Sequence, residues 1–279
     1  MPVKKKKEIV EFKVDEHPRD TDLEKMAKLK GAFPTSADGS IDKVEMTFEA
    51  SHMTPTPENT GVQRVTAGNA SGLNDGYIRL VVTRGVGNLG LNPFNCKRSC
   101  VFIIADKISL YDPNVYENGL ALITSSVRRN RPDTVCPQVK SLNYLNNILA
   151  KMEAVRQGAA EALMLNDLGN VAECTGDNIF IVKDGTVFTP PVTDGCLDGI
   201  TRRVVLEICR ELQIPAQEKT MNRFTITCAD ECFLTGTAAE CVPVTKLDGY
   251  QLGSGKIGPV TARILARFQE LAQTTGTSC

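Results

Sequence analysis

The most constraining feature of this chain is the irregular order in which strand and helix patterns follow one another after Asp75. Short runs of β-branched and aromatic residues, typical of strands, begin at Tyr77–Thr83 and recur several times. Three helical patterns lie among them, without the strict strand–helix–strand alternation of a doubly wound parallel sheet. The sequence therefore predicts an α+β fold.

The predicted elements can be placed from their apolar periodicity and their turn residues. Strands are expected at residues 43–49, 77–83, 101–105, 121–124, 162–165, 171–173, 179–182 and 186–189, and residues 101–105 are expected to be buried. Asp184-Gly185 predicts a hairpin turn between the last two strands. Further helices are expected from about Gly199 to Leu212 and after Pro259.

A helix is also expected directly after Lys140, with Ser141 capping its start and Gly158 ending it. Its large apolar side chains fall at helical spacing and form one stripe. The stripe consists of Leu142, Leu145, Ile148, Leu149, Met152 and Val155.

Composition excludes several classes of protein. The 279 residues suffice for one large domain or two modest ones, and the net charge of −1 does not indicate binding to nucleic acid. No apolar run approaches the roughly 18 residues of a membrane span, and no signal peptide is expected. The ten cysteines are scattered and both histidines lie far from them, so the sequence predicts no metal site and reduced thiols in a cytoplasmic protein.

Five segments carry residues suited to chemistry. A lysine partly removed from water, such as Lys140 beside a helix, can act as nucleophile and base, although a single lysine can equally be an ordinary surface residue. Gly199-Ile200-Thr201 opens a helix, where free N–H groups suit an anion such as phosphate. Tyr77 and Arg79 alternate on a strand and point the same way, and an arginine suits a carboxylate. The five segments are 77–79, Lys140-Ser141-Leu142-Asn143-Tyr144, Glu173-Cys174-Thr175-Gly176-Asp177-Asn178, Leu197-Asp198-Gly199-Ile200-Thr201, and Thr235-Gly236-Thr237-Ala238-Ala239-Glu240.

This ordered set resembles the fold-type IV pyridoxal-phosphate (PLP) enzymes, and most of all the branched-chain aminotransferases, over roughly residues 73–273. The resemblance implies a PLP cofactor attached to Lys140 as a Schiff base. It implies that Tyr144 hydrogen-bonds the phenolic oxygen of the cofactor, and that Glu173 keeps its pyridine nitrogen protonated. Leu197 would pack on the cofactor. The phosphate would be bound at Gly199, Ile200, Thr201 and Thr237, and the substrate carboxylate at Tyr77, Arg79, Thr237 and Ala238.

The implied fold is the two-domain fold of D-amino-acid aminotransferase, with an atypical or incomplete small domain at the N-terminus. Residues 1–72 lack the family's Gly-Asp-Gly-Val-Phe-Glu-Gly-like strand and its His-x-x-Arg-Leu helix, whose arginine binds the phosphate. The predicted division is therefore an atypical segment 1–72, the remainder of the small domain with the interdomain connection at 73–130, and a large PLP-binding domain at 131–279.

The implied activity is amino-group transfer between a branched-chain L-amino acid and 2-oxoglutarate. One alternative is a divergent homologue that keeps a PLP site but has little or no transaminase activity. The sibling activities of D-amino-acid aminotransferase and aminodeoxychorismate lyase are further alternatives. The expected partners are small amino acids and 2-oxo acids, together with a second copy of the chain in a homodimer or larger homo-oligomer.

Overall fold

The computed structural model describes residues 77–106, 110–112 and 114–274, together with four strands in the N-terminal segment. The chain divides into two compact units, Met1–Ile108 and Ser109–Ser278. Most of the atypical segment 1–72 lies outside the described residues. The predicted boundaries at residues 72 and 130 remain predictions.

The described residues of the first unit form three pairs of antiparallel strands. These are β1 (Pro2–Lys5) with β2 (Glu8–Glu11), β3 (Lys43–Phe48) with β4 (Gln63–Gly68), and β5 (Tyr77–Thr83) with β6 (Cys100–Asp106). The strands predicted at 43–49 and 77–83 are confirmed. The strand predicted at 101–105 is confirmed as part of β6, but the expected burial is wrong at Ile104, which is 41% exposed on a two-stranded ribbon.

The second unit is built on one nine-stranded mixed sheet. Its strands are β7 (Leu120–Thr124), β8 (Glu161–Leu165), β9 (Val171–Cys174), β10 (Asn178–Lys183), β11 (Thr186–Thr189), β12 (Ala216–Glu218), β13 (Glu231–Gly236), β14 (Glu240–Leu247) and β15 (Tyr250–Gln251). Its helices are α1 (Asn114–Asn118), α2 (Leu145–Arg156), α3 (Ile200–Glu211), α4 (Arg223–Thr227) and α5 (Pro259–Thr274). The mixture of parallel and antiparallel pairs confirms the α+β class.

The strands follow the order β12-β11-β10-β13-β14-β7-β8-β9, with β15 on the edge of β14. β9 stands at one end of this order, yet only three residues separate it from β10 in the chain. The sheet therefore curls until the two strands meet, and the Cys174 N–H donates to the Asp177 carbonyl at 2.8 Å. This closure brings the Glu173 strand beside the strand that begins at Asn178.

The two faces of the sheet bury separate apolar clusters. Phe180 and Phe233 lie on neighbouring strands, and their rings stack with centroids 5.0 Å apart beneath α3 and α5. The other face packs residues of β7, β8, β9 and β14 against the segment that contains Tyr111 and Tyr116. The predicted hairpin at Asp184-Gly185 is confirmed, since both residues have positive φ as a two-residue turn requires.

Helix α2 departs from its sequence prediction in two ways. It begins at Leu145 rather than at Ser141, and the Ser141 hydroxyl instead accepts a hydrogen bond from the Asn143 N–H. The predicted apolar stripe faces away from the sheet, with Leu145 62% and Val155 64% exposed. The buried face carries small or polar side chains, namely Asn147, Ala150 and Ala154, which let the helix backbone approach β8 closely.

Candidate active site

Lys140 and Tyr144 line one cavity at the approach to α2. The Lys140 Nζ donates to the Tyr144 hydroxyl at 3.3 Å and lies 5.8 Å from the centre of its ring. The cavity is partly open to solvent, and Arg129, Asn147 and Leu197 also line it. The sequence placed these two residues one helical turn apart. Residues 141–144 are a bend rather than a helix, but the two side chains still meet.

Glu173 is a buried carboxylate at the end of β9, with 5% of the residue exposed. Its Oε1 accepts from the Arg129 Nε at 2.8 Å, and its Oε2 accepts from the Leu197 backbone N–H at 2.9 Å. Burial raises the pKa of Glu173, while Arg129, the Leu197 N–H and Lys140 oppose that rise. The carboxylate thus lies within the electrostatic reach of Lys140.

Arg129 is the residue of this site that the sequence analysis missed. Its Nη1 donates to the Asn147 side chain at 3.3 Å, and the Asn147 amide donates to the Thr175 carbonyl at 2.8 Å. Arg129 therefore joins α2 to the strand that carries Glu173. Arg128 and Arg131 flank it in the same short run and are exposed, so nothing local distinguishes the buried member.

The start of α3 is shaped by Asn178. Its amide donates to the Leu197 carbonyl at 2.8 Å and to Glu173 Oε2 at 3.3 Å. A Cβ added at Gly199 would lie 2.3 Å from Asn178 Oδ1, so only glycine fits there. Gly199 is the N-cap, and the N–H groups of the first turn of a helix have no partner within the helix. They form a site suited to an anion such as phosphate.

The remaining predicted residues lie in two other places. Thr237 and Ala238 belong to the three-residue turn between β13 and β14, and Thr237 is exposed. The β10–β13 register pairs Asn178 with Thr235, so this turn follows the strand next to Asn178. Tyr77 and Arg79 lie on β5 in the first unit, and Arg79 is exposed.

Comparison with known proteins identifies the family. The family model described as amino-transferase class IV matches residues 53–247. A putative branched-chain-amino-acid aminotransferase of Methanocaldococcus jannaschii is 47% identical over 204 residues, which are 73% of this chain and 70% of that relative.

The chain belongs to this family.

Two solved structures extend the comparison to the fold. The branched-chain amino acid aminotransferase of Escherichia coli superposes with a TM-score of 0.70 at 38% identity, over 72% of this chain and 67% of that one. The enzyme of Thermobaculum terrenum in its PLP form gives a TM-score of 0.64 at 32% identity, over 70% of this chain and 64% of that one. The chain spans about two thirds of the length of these solved relatives. The expected class IV fold is confirmed.

The predicted cofactor class is also confirmed, since branched-chain aminotransferases similar to this chain are crystallised with PLP or with its amine form, pyridoxamine 5'-phosphate. The residues of this chain fit such a group. Lys140 offers an amine in the cavity that Leu197 lines, and Glu173, bonded to the Leu197 N–H, offers a buried carboxylate for a protonated ring nitrogen. Gly199 is the N-cap of α3, where the N–H groups of the first turn suit the phosphate.

Within the described part of the chain, no helix is both long and apolar enough to cross a membrane. Among the same residues, no group of three or more His, Cys, Asp or Glu side chains is placed to hold a metal ion.

Proposed function

We propose that this protein is a PLP-dependent aminotransferase that exchanges the amino group of a branched-chain L-amino acid with 2-oxoglutarate. The observation that carries the proposal is the shared cavity of Lys140, Tyr144 and Leu197, with Glu173 bonded to the Leu197 N–H behind it. The substrate class is supported by the names of relatives at 38–47% identity.

Lys140 has two roles in this proposal. Its Nζ would hold the cofactor covalently and, once displaced by the amino acid, would move the proton at the substrate α-carbon. PLP, when bound, supplies an electron-poor ring that stabilises negative charge at that carbon. The Tyr144 hydroxyl, 3.3 Å from Nζ, is placed to donate to the oxygen beside the attachment point.

Glu173 would keep the ring nitrogen protonated, which requires an ionised carboxylate. Burial works against ionisation, and Arg129 at 2.8 Å offsets it. Leu197 would pack against the ring. We assign the phosphate to Gly199 and to the N–H groups of Ile200 and Thr201, with Thr237 as a further donor. Ala238 and Thr237, with Tyr77 and Arg79, would bind the substrate carboxylate.

We further propose a homodimer in which the exposed apolar stripe of α2 is covered by a second copy. Five large apolar side chains of α2, together with Leu142 just before it, stay exposed while the opposite face packs on β8. A contiguous apolar surface of this kind marks an interaction site. The nine cysteines of the described part are all free thiols, which supports a cytoplasmic location.

The visible absorption spectrum with added PLP, before and after L-leucine, tests the proposed function. A band that requires Lys140 and disappears with leucine is expected. Lys140→Ala should lack it, while Lys246→Ala, which removes an exposed lysine on β14, should keep it. A band that responds to D-alanine or aminodeoxychorismate instead of leucine would assign a sibling activity. A band that responds to none would indicate a homologue without turnover, and no band would refute the proposal.

A further inference from the structure

The turn between β13 and β14 is supported from below by a buried carboxyl group. Asn178 pairs with Thr235 across β10 and β13, so the preceding residue, Asp177, lies opposite Gly236. Gly236 in turn pairs with Glu240 at the base of the turn. The register therefore places Gly236 between Asp177 on one side and Glu240 on the other.

The contact between Asp177 and Gly236 is close. A Cβ added at Gly236 would lie 2.3 Å from Asp177 Oδ1, so the carboxyl oxygen occupies the space of the missing side chain. Asp177 is only 6% exposed, and its Oδ2 accepts a hydrogen bond from the Tyr111 hydroxyl at 3.3 Å. Burial raises the pKa of Tyr111, which keeps this hydroxyl protonated as a donor.

The other end of the turn is held from the same segment of the chain. Tyr116 lies in α1, five residues after Tyr111, and its hydroxyl donates to the Ala239 carbonyl at 3.2 Å. Ala239 is fully buried. Asp177 supports the turn at Gly236, and Tyr116 supports it at Ala239. Thr237 and Ala238 lie between these two points, so the orientation of their backbone N–H groups depends on both contacts.

We propose that Asp177 is a positioning residue: its carboxyl group, held by Tyr111 and packed against Gly236, fixes the turn 237–239 so that its N–H groups receive the carboxylate of the amino acid. Tyr116 secures the far end of the same turn. This inference rests on the proposed function, because it concerns how that substrate is bound. The proposed function assigns Asp177 no contact with the substrate or the cofactor.

The charge of Asp177 adds a second consequence. Burial and the neighbouring Glu161 raise the pKa of Asp177 to about 7, while Tyr111 and Lys151 oppose the rise. Titratable groups of several elements face Asp177. They are Tyr111 before α1, Tyr116 in α1, Lys151 in α2, Glu161 in β8, and Glu173 and Cys174 in β9. Once Asp177 ionises, a negative charge lies under a turn that binds a carboxylate. Binding of the amino acid should therefore weaken as the pH rises through about 7.

The test compares L-leucine with 3-methylbutylamine, which is leucine without its carboxylate. Each is titrated into the protein with bound PLP while the Lys140-dependent band is followed. Asp177→Ala should raise the half-saturating leucine concentration about tenfold, the size of one hydrogen bond to a charged group. The value for 3-methylbutylamine should stay within about twofold, because that ligand does not need the turn.

Asp177→Asn separates position from charge, because its amide oxygen still accepts from Tyr111. At about pH 6 its half-saturating leucine concentration should match that of the wild type, and the ratio of the wild-type value to the variant value should rise between about pH 6 and about pH 8. This pH profile decides the matter if Asp177→Ala does not fold. Gly236→Ala should impair leucine binding in the wild-type background and less so beside Asp177→Ala, since the clash at 2.3 Å is then removed.

The inference is overturned if Asp177→Ala leaves the leucine dependence unchanged, if it weakens both ligands equally, or if Asp177→Asn follows the wild-type pH profile. A wild-type protein without a Lys140-dependent band would instead refute the proposed function. The two failures are therefore distinguished within one series of spectra.

Discussion

Replacing Arg129 with methionine tests whether Glu173 is kept as a buried carboxylate by its neighbour. The Arg129 Nε and Glu173 Oε1 are 2.8 Å apart, and the two side chains are 11% and 7% exposed. Methionine keeps much of the length of the side chain but removes the positive charge and its hydrogen bonds. Glu173 would then be buried with only the Leu197 N–H and the Asn178 amide as donors.

The expected loss in the free energy of unfolding is about 3–5 kcal/mol, the usual cost of removing one partner from a buried ion pair. The sign of its pH dependence follows from Glu173. Burial raises the pKa of this carboxyl in the folded state, and loss of Arg129 raises it further. A raised carboxyl pKa gives stability that is complete below the unfolded pKa and is lost as the pH rises through the folded pKa. The deficit of the variant should therefore grow as the pH rises above the ordinary range of a carboxyl group.

Urea unfolding followed by circular dichroism, without added PLP, measures this loss. Arg131→Met is the matched control, because Arg131 is exposed and pairs with Asp133 and Asp167 on the surface. A change below about 1 kcal/mol is expected for it. The double variant Arg129→Met with Glu173→Gln removes both charges and should recover much of the lost stability.

The reasoning fails if Arg129→Met is no more destabilising than Arg131→Met. It also fails if the stability lost by Arg129→Met does not grow as the pH rises and the added Glu173→Gln change does not restore it. Either result would mean that the ion pair does not control the charge of Glu173.

Three further predictions concern separate parts of the site. Gly199→Ala should weaken PLP binding by roughly tenfold or more, as loss of a charge-assisted phosphate contact would; equilibrium dialysis should show no such change for Gly176→Ala, where an added Cβ meets nothing within 4 Å. The raised pKa of Asp177 makes its ionisation costly in the folded state. The free energy of unfolding of Asp177→Asn should therefore exceed that of the wild type by up to about 4 kcal/mol as the pH rises from about 4 to about 7. A difference between the two proteins that stays constant over this range would contradict the prediction. Leu145→Glu with Leu149→Glu should lower the sedimentation coefficient from that of a dimer to that of a monomer without changing the circular dichroism, and an unchanged coefficient would exclude the α2 stripe as the dimer contact.

Local periodicity predicted the strands and helices well because each pattern depends on neighbouring residues. The short spacing from Lys140 to Tyr144 likewise predicted that the two side chains would meet, since four residues cannot separate them widely whether or not they form a helix. Gly199 was predicted as the start of α3 from its position before an apolar pattern with four-residue steps.

The orientation of α2 could not be predicted from its apolar stripe. A stripe shows that one face avoids water but not which surface covers it. The opposite face carries Ala150 and Ala154, and small side chains of this kind allow the close packing on β8 that the structure has. Arg129 was missed for a related reason. It is one of three arginines within four positions, and only the curled sheet brings Glu173 to the second of them.

The short turn from β9 to β10 explains why the site can be assembled from distant segments. Residues of this turn, and of the two strands next to it, contact different segments of the chain through side chains or carbonyls. Glu173 accepts from the Leu197 N–H, and the Thr175 carbonyl accepts from Asn147 of α2. Asp177 packs against Gly236, and Asn178 packs against Gly199 and donates to the Leu197 carbonyl. Changes at these positions should therefore differ in their main effect: on the charge of the ring nitrogen at Glu173, on substrate carboxylate binding at Asp177, and on phosphate affinity at Asn178, which also donates to Glu173. If this turn served only to connect β9 with β10, changes at these positions would instead share one effect, a loss of stability.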